Sequence, residues 1–238
     1  MKNNFTGGVM KNAQKANLIS RWKKVYAAEQ SETGTAVPQK EACTQPEASS
    51  KIPVIFRLSR FEHPEDFERM QFVIKACVKY AVCPYKTVLH VEQTRTGSRL
   101  VACDGVRLHF AEIAVKIKSG DYKPTVTKDA IILGQPLPDI RFPDWTKVIP
   151  VKTRKRGVIN LKDAGFGRDR DKTEKLSLAF ASLAKQIGEP VNLRFLEDLP
   201  KREWAVYSQG EKQKAILLKE KAAEDKLFAV IMPIPQAA

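Results

Sequence analysis

The chain reads Ser98-Arg-Leu-Val-Ala-Cys-Asp-Gly-Val-Arg-Leu-His-Phe110 at the point where two alternating runs of apolar and polar residues meet. Asp104-Gly105 lies between the two runs, and glycine supplies the positive φ that a tight hairpin turn requires. Alternation with a period of two is typical of a strand that is covered on one side. The stretch therefore predicts two antiparallel strands joined by an Asp-Gly turn.

Outward from this hairpin, the order strand–helix–strands occurs twice. This predicts an α+β domain whose helices pack on one face of a curved antiparallel sheet. The first helix is predicted to run from Pro64 to Ala81, and the second to begin at a Thr173 cap and end at Gly188. Residues 119–128 are predicted to be an exposed connection. The predicted strands span residues 53–58, 87–93, 99–103, 106–117, 130–133, 157–161, 191–196, 204–208, 215–218 and 227–231.

Residues 1–50 have the composition of a flexible basic arm. Gly, Ser, Thr, Gln, Pro and Glu dominate from Gln30 to Ser50, and such residues bury too little apolar surface to offset the entropy of ordering. Residues 16–26 have the spacing of a short amphipathic helix, which is either a docking element or a chance pattern. Residues 51–238 are predicted to form a single domain, with half-repeats at about 52–150 and 151–238.

The formal net charge of the 238 residues is +14, and the positive excess is spread along the chain. Basic residues outnumber acidic ones by 7 to 4 in residues 1–50, by 16 to 11 in residues 51–150 and by 18 to 12 in residues 151–238. A polyanion is therefore the leading partner, with nucleic acid ahead of acidic protein or membrane. A basic surface that is merely solvated is the alternative. No apolar run approaches the length of a membrane span.

The sequence shows no catalytic or metal-binding pattern, so we expect neither an enzyme nor a cofactor. The four cysteines have no CxxC or Cys/His spacing and are interpreted as reduced thiols of a cytoplasmic protein. His63, His90 and His109 accompany no metalloprotease, nucleophile-elbow or phosphate-loop motif. His109 is expected to be a partly exposed strand residue.

The segment Gly165-Phe-Gly-Arg168 is superficially similar to a phosphate-binding loop but lacks the Lys-Ser/Thr that such a loop requires. Three nearby acids suggest a cation site, yet basic residues interleave them and would cancel most of their field. These acids are Asp163, Asp169 and Asp171. The segment is therefore interpreted as a charged loop.

Three stretches together resemble the bacterial sliding clamp, the β subunit that tethers DNA polymerase to its template. They are the strand–Asp-Gly–strand hairpin, the segment Phe142-Pro-Asp-Trp-Thr-Lys-Val-Ile-Pro150 and the closing strand Phe228-Ala-Val-Ile-Met-Pro-Ile234. The resemblance implies a non-catalytic domain with the DNA-clamp fold. Each chain of the family has three such domains, and this sequence has room for one.

The helices of sliding clamps present basic side chains to the DNA backbone without reading bases. The resemblance therefore implies weak, salt-dependent and sequence-independent binding of double-stranded DNA. Taken one at a time, each lysine is better explained as solvating a helix. The residues implicated are those on the two predicted helices: Arg69, Lys75, Lys79, Lys172, Lys175 and Lys185.

The densest basic run follows the Phe-Pro-Asp-Trp segment and is, by analogy with the family, a linker between domains. It either contacts phosphate or keeps the chain soluble. Its residues are Lys152, Arg154, Lys155 and Arg156.

Partners of sliding clamps insert a short hydrophobic motif into a groove, and the resemblance implies such a peptide site here. The family's groove lies between successive domains, and Val106 stands where the family usually has a histidine. In a single-domain chain the groove is therefore either vestigial or completed on oligomerisation. The matching residues are Cys103, Gly105, Arg107, Leu108, Pro150, Val230, Met232, Pro233 and Ile234.

The resemblance implies a processivity factor of DNA replication, which binds DNA, tethers a polymerase or another replication protein, or does both. The alternative is a clamp-fold interaction protein that binds a replication protein rather than DNA. A closed ring of the family's kind would need six copies of a single-domain chain. Half-rings, dimers and a monomer that caps another clamp are alternatives.

Overall fold

The computed structural model describes residues 54–165, 169–211, 213–223 and 226–234. All of them belong to one compact unit, Lys51–Ala238. The predicted arm with its amphipathic helix, and the centre of the charged loop at residues 166–168, lie outside the described residues. None of the described helices has the length and apolar character needed to span a bilayer.

The described residues form eleven strands, three α-helices and two short 3-10 helices. The α-helices are α1 (Pro64–Ile74), α2 (Arg170–Ile187) and α3 (Leu193–Asp198), and the 3-10 helices span Pro84–Thr87 and Trp145–Val148. The strands are β1 (Phe56–Ser59), β2 (Leu89–Gln93), β3 (Ser98–Cys103), β4 (Arg107–Ile113), β5 (Gly120–Tyr122), β6 (Pro124–Val126), β7 (Ala130–Leu133), β8 (Arg154–Asn160), β9 (Glu203–Ser208), β10 (Ile216–Glu220) and β11 (Leu227–Ile231).

The strands form two antiparallel sheets. Eight strands follow the order β5-β2-β3-β4-β11-β10-β9-β8, and three others follow the order β1-β7-β6. The two halves of the domain meet where β4 pairs with β11, with Leu108 opposite Val230 and Phe110 opposite Phe228. The predicted half-repeats thus share one long sheet through this pairing.

Both long helices lie on the same face of the eight-stranded sheet, as predicted. Phe72 of α1 contacts the ring of Trp204 in β9, with the ring centroids 5.9 Å apart. The side-chain amide of Gln186 in α2 lies beside Gly157 of β8, 2.6 Å from the position that a Cβ atom would take there. Gly157 opposes Val206 in β9. Val206 and Trp204 are two residues apart in this strand and therefore point to the same face of the sheet, so both helices contact that face.

The opposite face of the sheet is covered by the segment that connects the two halves. Trp145 of this segment lies over the ring of Phe110, with the ring centroids 5.2 Å apart. Apolar side chains from both halves form this part of the core, so the connecting segment packs against both halves of the sheet. The buried members are Val101, Leu108, Phe110, Leu217, Phe228 and Val230, and Phe142, Trp145 and Ile149 pack against them.

The first helix ends at Ile74, so the prediction that it reaches Ala81 is wrong. Two hydrogen bonds from other elements end it. Arg107 donates from Nη2 to the main-chain oxygen of Lys75 at 2.6 Å. The main-chain N–H of Val78 donates to the oxygen of Lys86, not to the helical acceptor Ile74. Apolar spacing does not reveal such contacts.

Residues 191–196 were predicted to form a strand, and that prediction is wrong because α3 begins within them. The side chain of Asn192 caps the helix by accepting a hydrogen bond from the N–H of Arg194. Lys75 and Lys201 donate from their ammonium groups to the main-chain oxygens of Asp198 and Glu197. Cations stabilise the negative end of a helix, and Lys75 comes from a distant part of the sequence.

Three further predictions need correction. Asp169, not Thr173, caps α2 by accepting hydrogen bonds from the first N–H groups, although Gly188 with φ 77° ends the helix as predicted. The predicted connection at 119–128 contains β5 and β6, and its Tyr122 is buried. His109 is fully buried because α1 covers it, with the ring of Phe72 stacked on its imidazole at 4.3 Å.

Candidate partner-binding groove and basic face

The Asp-Gly turn has the geometry that its sequence predicts. Gly105 adopts φ 97°, which a residue with a side chain rarely tolerates. Asp104 accepts hydrogen bonds at its Oδ1 from the N–H groups of Val106 and Arg107, both at 2.9 Å. This arrangement holds the turn rigidly and leaves the side chain of Val106 half exposed.

We refer to the surface where this turn meets the end of β11 as the candidate groove. Met232 continues the pairing of β4 and β11 by donating its N–H to the oxygen of Val106 at 2.8 Å. Met232 is 37% exposed and Val106 is 50% exposed, so two neighbouring apolar residues face solvent. Leu108 and Val230, which oppose each other two residues further along the same strands, are buried, and we call this pair the floor of the candidate groove.

The connecting segment forms one side of the candidate groove. Ile149 packs against the floor, as does Cys103, and Pro150 follows directly and is half-buried. Burial is the main cause that raises the pKa of Cys103, so its thiol stays neutral at physiological pH and acts as an apolar wall rather than a nucleophile.

Aromatic contacts hold the connecting segment on the sheet. Phe142 stacks on the imidazole of His90 with the ring centroids 4.7 Å apart. Trp145 donates from Nε1 to Oε1 of Glu92 at 2.9 Å. Asp144 accepts the N–H of Thr146 and so caps the 3-10 helix that precedes Pro150. The Phe-Pro-Asp-Trp pattern therefore has a structural explanation.

The structure brings six of the nine predicted peptide-binding residues together and leaves out three, namely Arg107, Pro233 and Ile234. Arg107 projects to the helix-bearing face, where its guanidinium donates to Asp104 and Asp198. Ile234 donates its N–H to the main-chain oxygen of Pro190, so the chain turns away after the buried Pro233. The residues at the groove are Cys103, Gly105, Leu108, Pro150, Val230 and Met232, together with Val106, which the resemblance did not implicate.

The first helix supplies fewer free cations than predicted. Arg69 is mostly buried and donates to Glu65 and to the main-chain oxygen of Glu112. Lys75 lies just beyond the end of α1, and Lys79 lies in the irregular segment that follows. Both lysines are exposed, yet neither is helical, because α1 ends at Ile74.

The second helix carries its predicted lysines on the surface. Lys172 and Lys175 are exposed and lie 3.4 Å from Asp169 and 3.6 Å from Asp163. Exposed ion pairs of this kind stabilise a protein by less than about 1 kcal/mol, so a phosphate group would readily replace either carboxylate. Lys185 is exposed near the end of the same helix.

Sequence reasoning missed Lys201, a basic residue on this face. Lys201 and Lys75 line a cleft of about 210 Å³ between α1 and the end of α3. Burial lowers the pKa of Lys201, and repulsion from the neighbouring ammonium of Lys75 lowers it further. The position of Lys201 beside the end of a helix was not foreseen, because residues 191–196 were interpreted as a strand. Among the described residues, no group of three His, Cys, Asp or Glu side chains could hold a metal ion.

Comparison with known proteins identifies the fold. No protein-family model and no curated protein sequence matches the chain. The DNA polymerase III beta subunit from Thermotoga maritima is 16% identical, with a TM-score of 0.51 over 85% of this chain and 71% of that one.

Two other solved structures agree with this match. The beta subunit from Pseudomonas aeruginosa is 13% identical, with a TM-score of 0.52 over 84% and 70% of the two chains. The DNA polymerase sliding clamp from Bacillus subtilis is 12% identical, with a TM-score of 0.50 over 83% and 68%. At these identities the similarity concerns the fold alone. The described domain has an α+β fold similar to that of bacterial sliding clamps.

Proposed function

We propose that this protein is a non-catalytic, cytoplasmic accessory factor of DNA replication that tethers a polymerase or another replication protein. In this proposal the partner inserts a short hydrophobic peptide between the Asp-Gly turn and the end of β11. The proposal draws on the clamp-like fold and on the residues that the sequence resemblance implicates.

One observation carries the proposal: the pairing of β4 with β11 brings the Asp-Gly turn beside Met232 at the end of β11. The family's groove lies between two domains, whereas here Met232 bonds directly to Val106, at the turn between β3 and β4. Two exposed apolar side chains thus stand above a buried apolar floor. Small, partly apolar pockets with a rigid frame are suited to anchoring one or two side chains of a peptide.

A charge placed in the groove is expected to abolish peptide binding. The probe is a short fluorescein-labelled peptide rich in Leu and Phe, and binding is measured by fluorescence anisotropy. Val106→Glu and Met232→Glu should each raise the dissociation constant at least about tenfold, because a carboxylate in an apolar groove must lose its hydration.

The matched control is Val126→Glu in β6, because Val126 is 42% exposed and lies in the other sheet. This variant should bind the peptide within about twofold of the unmodified chain. Equal weakening by the control, or unchanged binding by both groove variants, would rule out the groove as the peptide site.

A second function, weak binding of duplex DNA, is favoured by the exposed lysines on the helix-bearing face. Charge reversal of four lysines there should lower affinity at least about tenfold at low salt, because each phosphate contact adds to the salt-dependent term. The variant changes Lys75, Lys79, Lys172 and Lys175 to Glu. Its matched control reverses four exposed lysines around β5 and β6, namely Lys116, Lys118, Lys123 and Lys128.

Retention of the unmodified chain on duplex DNA at rising salt measures this function. Loss of retention in the first variant alone would support contact through the helix-bearing face. Equal loss in both variants would mean that net charge alone is responsible, and retention by both would exclude that face. If no DNA binds at all, the alternative of a clamp-fold protein that binds only a protein partner is favoured.

A further inference from the structure

The outer edge of β8 carries a concentrated positive charge that neither of the two functions proposed above uses. β8 is the last strand of the eight-stranded sheet and pairs with β9 on one side. No other strand of the described residues lies beside its outer edge. Arg154, Lys155 and Arg156 begin this strand, and all three are exposed. The basic run interpreted as a linker is therefore a strand edge.

These three cations have no acidic partner among the described residues. Arg156 donates from Nε to the uncharged Oγ of Ser208 at 2.9 Å. Acidic residues of the nearby loops are engaged elsewhere: Glu211 lies 3.7 Å from Lys214, and Glu189 accepts the N–H of Gln213. The positive field at this edge is thus uncompensated and attracts a ligand of opposite charge.

The arrangement of the cations indicates what kind of anion fits. Arg154 opposes Ser208 and Lys155 opposes Tyr207, and neighbouring residues of a strand point to opposite faces of the sheet. The cations therefore flank the edge on both faces. A DNA duplex presents phosphates to a single surface, whereas a peptide added to a strand edge presents its side chains alternately to both faces. This distribution favours an acidic extended peptide over nucleic acid.

A second copy of this chain does not fit the edge. Pairing of β8 with itself would bring six cations together, and like charges on paired strands destabilise the pairing. The other free edges within the described part of the chain are also basic. Arg57 and Arg60 lie at β1, Lys118 and Lys123 flank β5, and Lys123 and Lys128 flank β6.

Gln186 of α2 limits how much of the edge is open. Its Nε2 donates to the main-chain oxygen of Val158 at 3.2 Å and to Oγ of Ser182 at 3.0 Å. Its side chain occupies the space beside Gly157. The accessible stretch therefore ends before Gly157, and a bulge between Lys155 and Gly157 bends the strand there.

We propose that the edge of β8 at Arg154–Arg156 binds an acidic, extended segment of a partner protein by strand addition. Main-chain hydrogen bonds hold the segment against the edge. Its carboxylates pair with Arg154 and Arg156 on the side of α2 and with Lys155 on the other side. This site is separate from the hydrophobic groove and does not depend on it.

The test titrates the full chain with a fluorescein-labelled peptide that alternates Glu or Asp with Val, and measures fluorescence anisotropy. The triple variant R154E, K155E and R156E should weaken binding at least about tenfold. The control K116E, K118E and K123E has the same change in net charge and should stay within about twofold. Equal weakening by both triple variants would overturn the proposal, because net charge alone would then explain binding.

A second arm uses the unmodified chain, so it does not depend on whether a variant folds. Methylation of alternate main-chain nitrogens of the peptide keeps its charge and removes donors needed for strand pairing. The methylated peptide should bind at least about tenfold more weakly. Equal binding of both peptides would overturn strand addition. A short DNA duplex whose affinity falls only in the β8 variant would also overturn the proposal, since nucleic acid would then be the ligand.

Discussion

Replacing Arg107 with methionine is expected to lower the free energy of unfolding by about 3 kcal/mol. The Arg107 side chain is only 12% exposed and donates to Asp104 at 2.9 Å and to Asp198. It also donates to the main-chain oxygen of Lys75 at 2.6 Å and lies 5.0 Å above the ring of Phe195. Methionine keeps the apolar stem but leaves two poorly hydrated carboxylates without their cation.

Urea denaturation at neutral pH measures this loss. The control is Arg99→Met, because Arg99 pairs with Glu112 at 3.0 Å in a more exposed position and should contribute less than about 1 kcal/mol. Adding Asp104→Asn and Asp198→Asn to the Arg107→Met variant should recover part of the loss, since the stranded charges are removed. Equal effects of the two single variants would contradict the proposed role of Arg107.

Lowering the pH from 7 to 5 is expected to cost about 2 kcal/mol of stability through His109 alone. Burial, followed by repulsion from the guanidinium of Arg107, lowers the pKa of His109 from 6.5 to about 3. The neutral ring bonds through Nδ1 to the oxygen of Phe72 at 2.8 Å, while its buried Nε2 has no hydrogen-bond partner. A charged ring therefore has little to compensate it.

The direction of this pH effect follows from the difference in proton binding between the folded and unfolded states. Below pH 6.5 the unfolded chain takes up a proton on this histidine that the folded chain does not, so unfolding is favoured. The full stability contribution is present above pH 6.5 and is lost progressively as the pH falls towards 3. Urea denaturation of the unmodified chain and of His109→Gln at pH 7 and pH 5 measures the difference.

The His109→Gln variant should lose about 2 kcal/mol less than the unmodified chain over this interval, whatever its stability at pH 7. The matched control is His63→Gln, because His63 is exposed at the start of α1. This control should keep the pH-dependent loss. A loss that persists in His109→Gln would show that another group is responsible.

Local sequence was sufficient where a structure depends on neighbouring residues. The Asp104-Gly105 turn follows from the positive φ of one glycine and from hydrogen bonds within the turn, so it was predicted correctly. Gly188 ends α2 for the same reason. The alternation of Leu108 and Phe110 with His109 marked the two faces of β4, although it did not show that both faces are covered.

Residues far apart in sequence decided the rest. α1 ends at Ile74 because Arg107 binds the oxygen of Lys75, and α3 is stabilised partly by Lys75, which is separated from Asp198 by 123 positions. The basic edge at Arg154–Arg156 also became visible only through the order of strands.

The sequence by itself therefore determined the turn, the alternating strands and the repeated order, because backbone geometry and hydrophobic period are properties of short segments. Only the tertiary structure decided that the Asp-Gly turn and the end of β11 lie side by side, since this requires the pairing of β4 with β11. It also decided that His109 lies beneath α1 and that Arg107 lies between the end of α1 and α3, where burial and neighbouring charge set their energetics. Such contacts join distant residues, and no local pattern encodes them.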